Sequence, residues 1–342
     1  MAFNDHRALA LVSAMVPWNL LEPQDQTFVW DQLDANIAHA REQGYRIILR
    51  IMAGRLSPAW LPSAGMATLE ILGTDPNAFD YCQRVLVPVP WDPVLEEQYR
   101  ELMEAVAAWM EGSDGGDGTK GDHVLAVPIS MPSVLGSEMQ IGFGPGDTCP
   151  EGTDGAGNDL ADTNQERWTA LAPVEELRTS AEEAWQRAID LHVEIFTEVP
   201  SVVAYGGIFG DDLEAAQRLA ETNVPEHAEV LWSMFTNLQP ELGPDGSIIG
   251  PWADWCPTCD EILTAALAAG GSVGLQLAAT EGVDEADELM YAIDEAVDRY
   301  ELRFLEVNPE IADAFEGYLL AEPDSVQDRI RARIGVSGAP AS

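Results

Sequence analysis

The strongest constraint on what this chain can fold into is a repeated switch between two hydrophobic periods. Stretches with apolar residues every three to four positions mark helices with one buried face, and short β-branched runs that are apolar almost throughout mark buried strands. ALALVSAMVPW (8–18) is strand-like, and VWDQLDANIAHAREQG (29–44) has helical spacing ending on a glycine suited to a C-terminal cap. YRIILRIMAG (45–54) reads as a strand, and DPVLEEQYRELMEAVAAWMEG (92–112) as a long amphipathic helix with Asp92 as its cap and Pro93 in its first turn. HVLAVPISM (123–131), SVVAYGGIF (201–209), SVGLQLAAT (272–280) and LRFLEVN (302–308) read as further strands. Helical patterns at 180–199, 260–271 and 286–300 separate them.

Strands that are apolar on both faces must be covered on both faces, so the pattern predicts a parallel sheet wrapped by helices, an α/β chain. No G-x-G-x-x-G follows the first strand. That removes the usual dinucleotide site and favours a closed (β/α)8 TIM-like barrel over an open sheet. A first barrel strand is hard to find before residue 8, so it is expected to be atypical or missing. One domain over 1–325 is expected, with loop insertions at 112–122 (flexible) and 142–164 and a tail at 326–342. Barrels carry function at the C-terminal ends of their strands. Trp18, Arg55, Trp60, Glu138, Asp211, Asp212, Trp252, Asp254, Gln276, Glu281 and Glu306 fall at such places.

Charge excludes several partners. The chain has 59 acids against 17 bases, a net charge of −42, and Lys120 is its one lysine. Such a surface repels nucleic acid phosphates and anionic membranes. It also opposes its own compaction unless salt screens it, which fits either an acidic composition bias or halophilic adaptation. No run approaches the roughly 18 apolar residues of a membrane span. ALALVSAMV (8–16) has the length of a signal core, but MAFNDHR before it is not clearly basic and no small-residue cleavage site follows. It is read as a strand, and localisation stays open between the cytoplasm and a particle-associated or extracellular site.

Cys256 and Cys259 have C-x-x-C spacing, suited to a local disulfide or redox pair; with Cys82 and Cys149 they would complete a four-thiolate zinc set, though at irregular separation. Asp147, Asp154, Asn158, Asp159 and Asp162 make the second insertion acidic, but not at the spacing of an EF-hand. No metal and no cofactor are expected.

Residues 16–61, VPWNLLEPQDQTFVWDQLDANIAHAREQGYRIILRIMAGRLSPAWL, resemble the W-x-x-L-E-P segment of β-galactosidase-like glycoside hydrolases. Trp18, Leu21, Glu22, Pro23, Trp30, Leu33, Asp34, Pro58 and Trp60 carry the likeness, which continues through VPVPWDPVLEEQYRELM (87–103) and more loosely to FLEVN. The resemblance implies a (β/α)8 glycosidase barrel with its acid/base at the end of the fourth strand, where Glu138 falls. Ser137 stands where that family has an asparagine. The family's nucleophile ends the seventh strand. If 8–17 is the second strand, Glu281 takes that place and Glu306 lies on the eighth.

A retaining glycosidase needs two carboxyls about 5–5.5 Å apart and an inverting one about 6.5–9.5 Å. Glu138, among neutral neighbours, is the candidate proton donor. Glu306 sits inside an apolar strand, where an acid needs either a task or a partner such as Arg50 or Arg303. Glu281 reads equally as a loop acid. Trp18, Trp60, Trp91 and Trp252 could stack on sugar rings or pack in the core, and Ser137, Arg50 and Gln276 could bind sugar hydroxyls. The leading expectation is cleavage of β-linked carbohydrate. The rival is a non-catalytic carbohydrate-binding barrel, alone, as a homo-oligomer or in a larger assembly such as a viral tail, serving adhesion or structure.

Overall fold

The computed structural model describes residues 11–44, 46–72, 83–134, 164–206, 213–236, 241–242, 248–250, 257–277 and 296–307. In chain order these form β1 (Leu11–Pro17), α1 (Trp18–Leu21), α2 (Asp31–Gln43), β2 (Arg46–Met52), β3 (Thr68–Leu72), β4 (Arg84–Pro88), α3 (Pro93–Met110), β5 (Val124–Pro128), α4 (Asn164–Thr169), α5 (Val174–Ile195), β6 (Ser201–Tyr205), α6 (Glu214–His227), β7 (Leu231–Thr236), β8 (Glu241–Leu242), β9 (Ile248–Gly250), α7 (Pro257–Ala268), β10 (Val273–Leu277) and β11 (Phe304–Val307).

Seven strands make one sheet in the order β1-β2-β5-β6-β7-β10-β11, and each neighbouring pair is parallel. β11 returns to the side of β1, so the sheet curls round on itself. No ladder joins β1 to β11 among the described residues. The result is the α/β barrel that the alternating pattern predicts. With one strand counted ahead of β1, strands β5, β10 and β11 take the fourth, seventh and eighth positions. β3–β4 and β8–β9 are separate antiparallel pairs.

The two-faced burial of the strands explains why they read as continuous apolar runs. On β2, Ile47, Leu49 and Ile51 join the outer core, with Leu33 and Ile37 of α2 and Leu102 and Val106 of α3. The alternate residue Ile48 faces inward and packs with Ala126, Val202, Ala204, Trp232, Met234 and Phe304. This inner cluster plugs the barrel. Its aromatic pair, Trp232 and Phe304, stacks with ring centroids 6.0 Å apart.

Local signals act as read. Gly44 caps α2 in the left-handed conformation, and the Asp92 carboxylate accepts from the backbone N–H of Val94 (2.9 Å) and Leu95 (3.2 Å) at the start of α3. The 112–122 insertion is tied to α2 and to itself by hydrogen bonds. Arg41 donates to the Asp114 carbonyl, Lys120 pairs with Asp34 at 2.5 Å, and Thr119 and Asp122 form a reciprocal capping box. Its composition is loop-like, but Asp114, Lys120 and Asp122 find partners on α2, at His123 and within the loop.

Candidate functional site at the C-terminal end of the barrel

The barrel interior changes character along its axis. On β2, β10 and β11 an inward-facing residue at the level of the plug is followed two positions later, toward the C-terminal end of its strand, by a polar one. Ile48 gives way to Arg50, Gly274 to Gln276, and Phe304 to Glu306. Gln276 and Glu306 are direct neighbours across β10 and β11. Arg50 lies level with Met15 of β1. Met15 is 47% exposed although Ala14 and Val16 beside it are buried, so this end of the inner face is open to solvent at β1.

Arg50 and Glu306 form a buried ion pair. Arg50 Nη2 lies 2.6 Å from Glu306 Oε2, with the two side chains 2% and 8% exposed. The same nitrogen faces Met234 Sδ at 3.8 Å. Glu306 Oε1 has no hydrogen-bond partner among the described residues. Burying two charges is costly, and close pairing offsets that cost only while both partners remain. The pair also spans the seam, since Arg50 is on β2, Glu306 on β11, and β1 lies between.

The tryptophans divide. Trp18 is fully buried, donates its indole N–H to Glu22 Oε2 (2.8 Å) and meets Tyr99 edge-on; it has no exposed face for a sugar. Trp60 is half-buried and donates to the Glu22 carbonyl (3.2 Å), and Trp91 packs against Trp168 with centroids 5.8 Å apart. Glu22 itself is buried and receives the Gln26 N–H at Oε1 (2.8 Å). Burial raises its carboxyl pKa, against the lowering effect of the Trp18 and Gln26 hydrogen bonds. The W-x-x-L-E-P segment is thus a self-satisfied turn after β1. Ser137, Glu138, Trp252, Glu281, Asp211, Asp212 and Asp254 lie outside the described residues, as does most of the 142–164 insertion.

Cys259 is disulfide-bonded, which removes its thiolate from any four-cysteine zinc set. Among the described residues, no cluster of three or more His, Cys, Asp or Glu could hold a metal. None of the described helices is long and apolar enough to cross a membrane.

Two features behind β5 escaped the sequence reading. Gly54, just past β2, has φ of +59°, and a Cβ there would lie 2.5 Å from the Ser133 carbonyl oxygen and 2.7 Å from the Val134 carbonyl carbon. Arg55 N–H donates to that Val134 carbonyl at 2.9 Å. The end of β2 therefore presses on the buried chain that leaves β5, and only glycine permits the approach. On the other side, His192 of α5 is fully buried, with Nε2 2.9 Å from the Tyr99 hydroxyl and Nδ1 3.2 Å from Ser201 Oγ. A lone histidine on the apolar face of a helix was the available signal.

Burial pushes the His192 pKa down from 6.5 to about 3. In the unfolded chain this imidazole takes up a proton below about 6.5; in the folded chain it does so only near 3. Its contribution is therefore intact above that window and falls by about 1.4 kcal/mol per pH unit as the pH drops through it. Chemical denaturation between pH 7 and 4 is expected to show this slope in the wild type and to lose it in His192→Gln. Parallel curves for the two would refute the assignment.

No family model matches the chain, and no curated protein matches it. Solved structures with similar chain paths include endo-glycoceramidase II from Rhodococcus sp., at 13% identity and TM-score 0.45, covering 89% of this chain and 66% of that one. The chain thus spans just under two thirds of that enzyme's length. Others are xylanase 10B from Thermotoga maritima, at 9% identity, TM-score 0.45 and coverage of 94% and 86%, and a GH10 protein from Paenibacillus barcinonensis, at 13%, 0.44 and 86% and 75%. The barrel assignment rests on the chain's own strand order.

Proposed function

We propose that this barrel is a glycoside hydrolase acting on β-linked sugars, with Glu138 as proton donor and Glu306 or Glu281 as nucleophile or base. The observation that carries the reading is the polar layer of Arg50, Gln276 and Glu306 above an apolar plug, at the barrel end where such folds keep their sites. Guanidinium, amide and carboxylate groups together offer the donors and acceptors that carbohydrate hydroxyls require. The resemblance of residues 16–61 and 87–103 to β-galactosidase-like hydrolases supports the same reading. Trp60, Trp91 and Trp252 remain the indoles proposed for sugar contact, with Ser137 beside the donor. The acidic surface suits high salt and an uncharged polysaccharide partner rather than nucleic acid or membrane.

Glu306 is engaged by Arg50, and Ser137 replaces the family's asparagine. Both favour, as the second reading, a barrel that binds carbohydrate without cleaving it, within an oligomer or larger assembly. Turnover of aryl β-glycosides by the wild type and by Glu138→Gln separates the two. Loss of a general acid is expected to lower the rate by about 10²–10⁴-fold. Equal rates remove Glu138 from the mechanism. Oligosaccharide binding by calorimetry with no turnover selects the second reading.

A further inference from the structure

We infer that Tyr99 is a positioning residue whose hydroxyl, oriented by His192, fixes the buried turn by which the chain leaves β5 toward Glu138. The inference rests on the catalytic reading above. Residues Ile129, Ser130, Met131, Ser133 and Val134 are all buried, although they follow the end of a strand. Ser133 N–H bonds back to the Ser130 carbonyl at 3.1 Å, and Val134 is pressed by Gly54 from one side. Tyr99 of α3 approaches from the other, receiving the Ser130 backbone N–H at 3.4 Å.

The direction of each hydrogen bond follows from what the groups can do. A backbone N–H only donates, so the Tyr99 oxygen accepts there, and we assign its own proton to His192 Nε2, the arrangement that the ¹⁵N shifts below test. A neutral imidazole accepting at Nε2 carries its proton on Nδ1, which donates to Ser201 Oγ. Ser201 opens β6 and lies level with Val127 of β5. The chain of bonds therefore runs from the β5 exit through α3 and α5 to the neighbouring strand. Phenylalanine would fill the same space without the burial cost of a hydroxyl. The hydroxyl supplies orientation of the backbone, which packing alone leaves looser.

Tyr99→Phe tests this, because it keeps the ring and removes only the hydroxyl. With aryl β-glycosides, well below the unfolding temperature, kcat is expected to fall about 10–100-fold while KM stays within about twofold, as for a displaced catalytic group. A lower melting temperature with unchanged kcat would make Tyr99 merely structural and overturn the inference. Imidazole ¹⁵N shifts of His192 in the wild type test the anchor without activity: a proton on Nδ1 supports it, and a proton on Nε2 overturns it. A wild type that turns over no glycoside overturns the catalytic reading and the positioning role with it, while the shifts still report whether the anchor exists.

Discussion

Glu306→Ala is expected to destabilise the fold by about 3–5 kcal/mol, because it removes the carboxylate that Arg50 Nη2 faces inside the barrel. That is a large part of the roughly 5–15 kcal/mol that holds a typical domain together. The pair crosses the seam where β1 and β11 share no ladder among the described residues. Arg50→Met is expected to do similar harm from the other side. The double variant Arg50→Met/Glu306→Leu removes both charges and fills the space with apolar atoms next to Met234, Phe304 and Trp232. It is expected to recover most of the loss, as replaced buried ion pairs often do. Urea unfolding of the four proteins completes the cycle. If Glu306→Ala costs under about 1 kcal/mol, or the double variant is no better than the sum of the singles, the pair is not a buried electrostatic unit.

The cycle also guards the catalytic test. An inactive Glu306→Ala protein proves little if it has unfolded. A folded, inactive double variant would place Glu306 or Arg50 in the site, while a folded, active one would leave Glu281 as the second carboxyl.

Gly274→Ala is expected to be the other severe single change. The Phe304 ring lies over Gly274, so a Cβ would overlap three of its ring atoms. Gly274 cannot yield sideways, since β10 is paired with β7 on one side and β11 on the other. Phe304 is backed by Trp232, which blocks its retreat into the plug. Overpacking of this kind costs about 1–3 kcal/mol and sometimes more, and is read as a lower melting temperature. Phe304→Leu in the same chain is expected to restore part of the loss by vacating the ring's space. If Gly274→Ala melts with the wild type, the close packing of strand and ring is wrong.

The barrel was legible because its cause is repeated and local. β2 and β5 are covered by helices outside and a plug inside, so Ile47–Leu49 and Val124–Val127 had to be apolar throughout. Gly44, Asp92 and Pro93 marked helix ends because each solves a backbone problem within four residues. β7 was not picked out: LWSMFT mixes polar, sulfur and aromatic residues in one short run. The β3–β4 pair was missed because its strands are half-exposed and separated by an eleven-residue connection.

The site was legible only in part. That Glu306 needed a task or a partner followed from its apolar strand, and Arg50 was one of two arginines named for it; that Arg50 takes this place, 256 positions away, is decided only by the fold. Nothing near Trp18 in sequence distinguishes a sugar platform from a core residue bonded to Glu22. Burial alone makes that distinction, and burial is a property of the assembled barrel.

Period and turn chemistry were set by neighbours along the chain, and with them most of the helices and strands. Which side chains meet inside the barrel depended on register. Gln276 stands beside Glu306, and Phe304 over Gly274, only because β10 and β11 pair as they do. A shift of one residue would turn each of these side chains to the opposite face. The sequence therefore specified a barrel, and only its closure brought one arginine and one glutamate together across the seam.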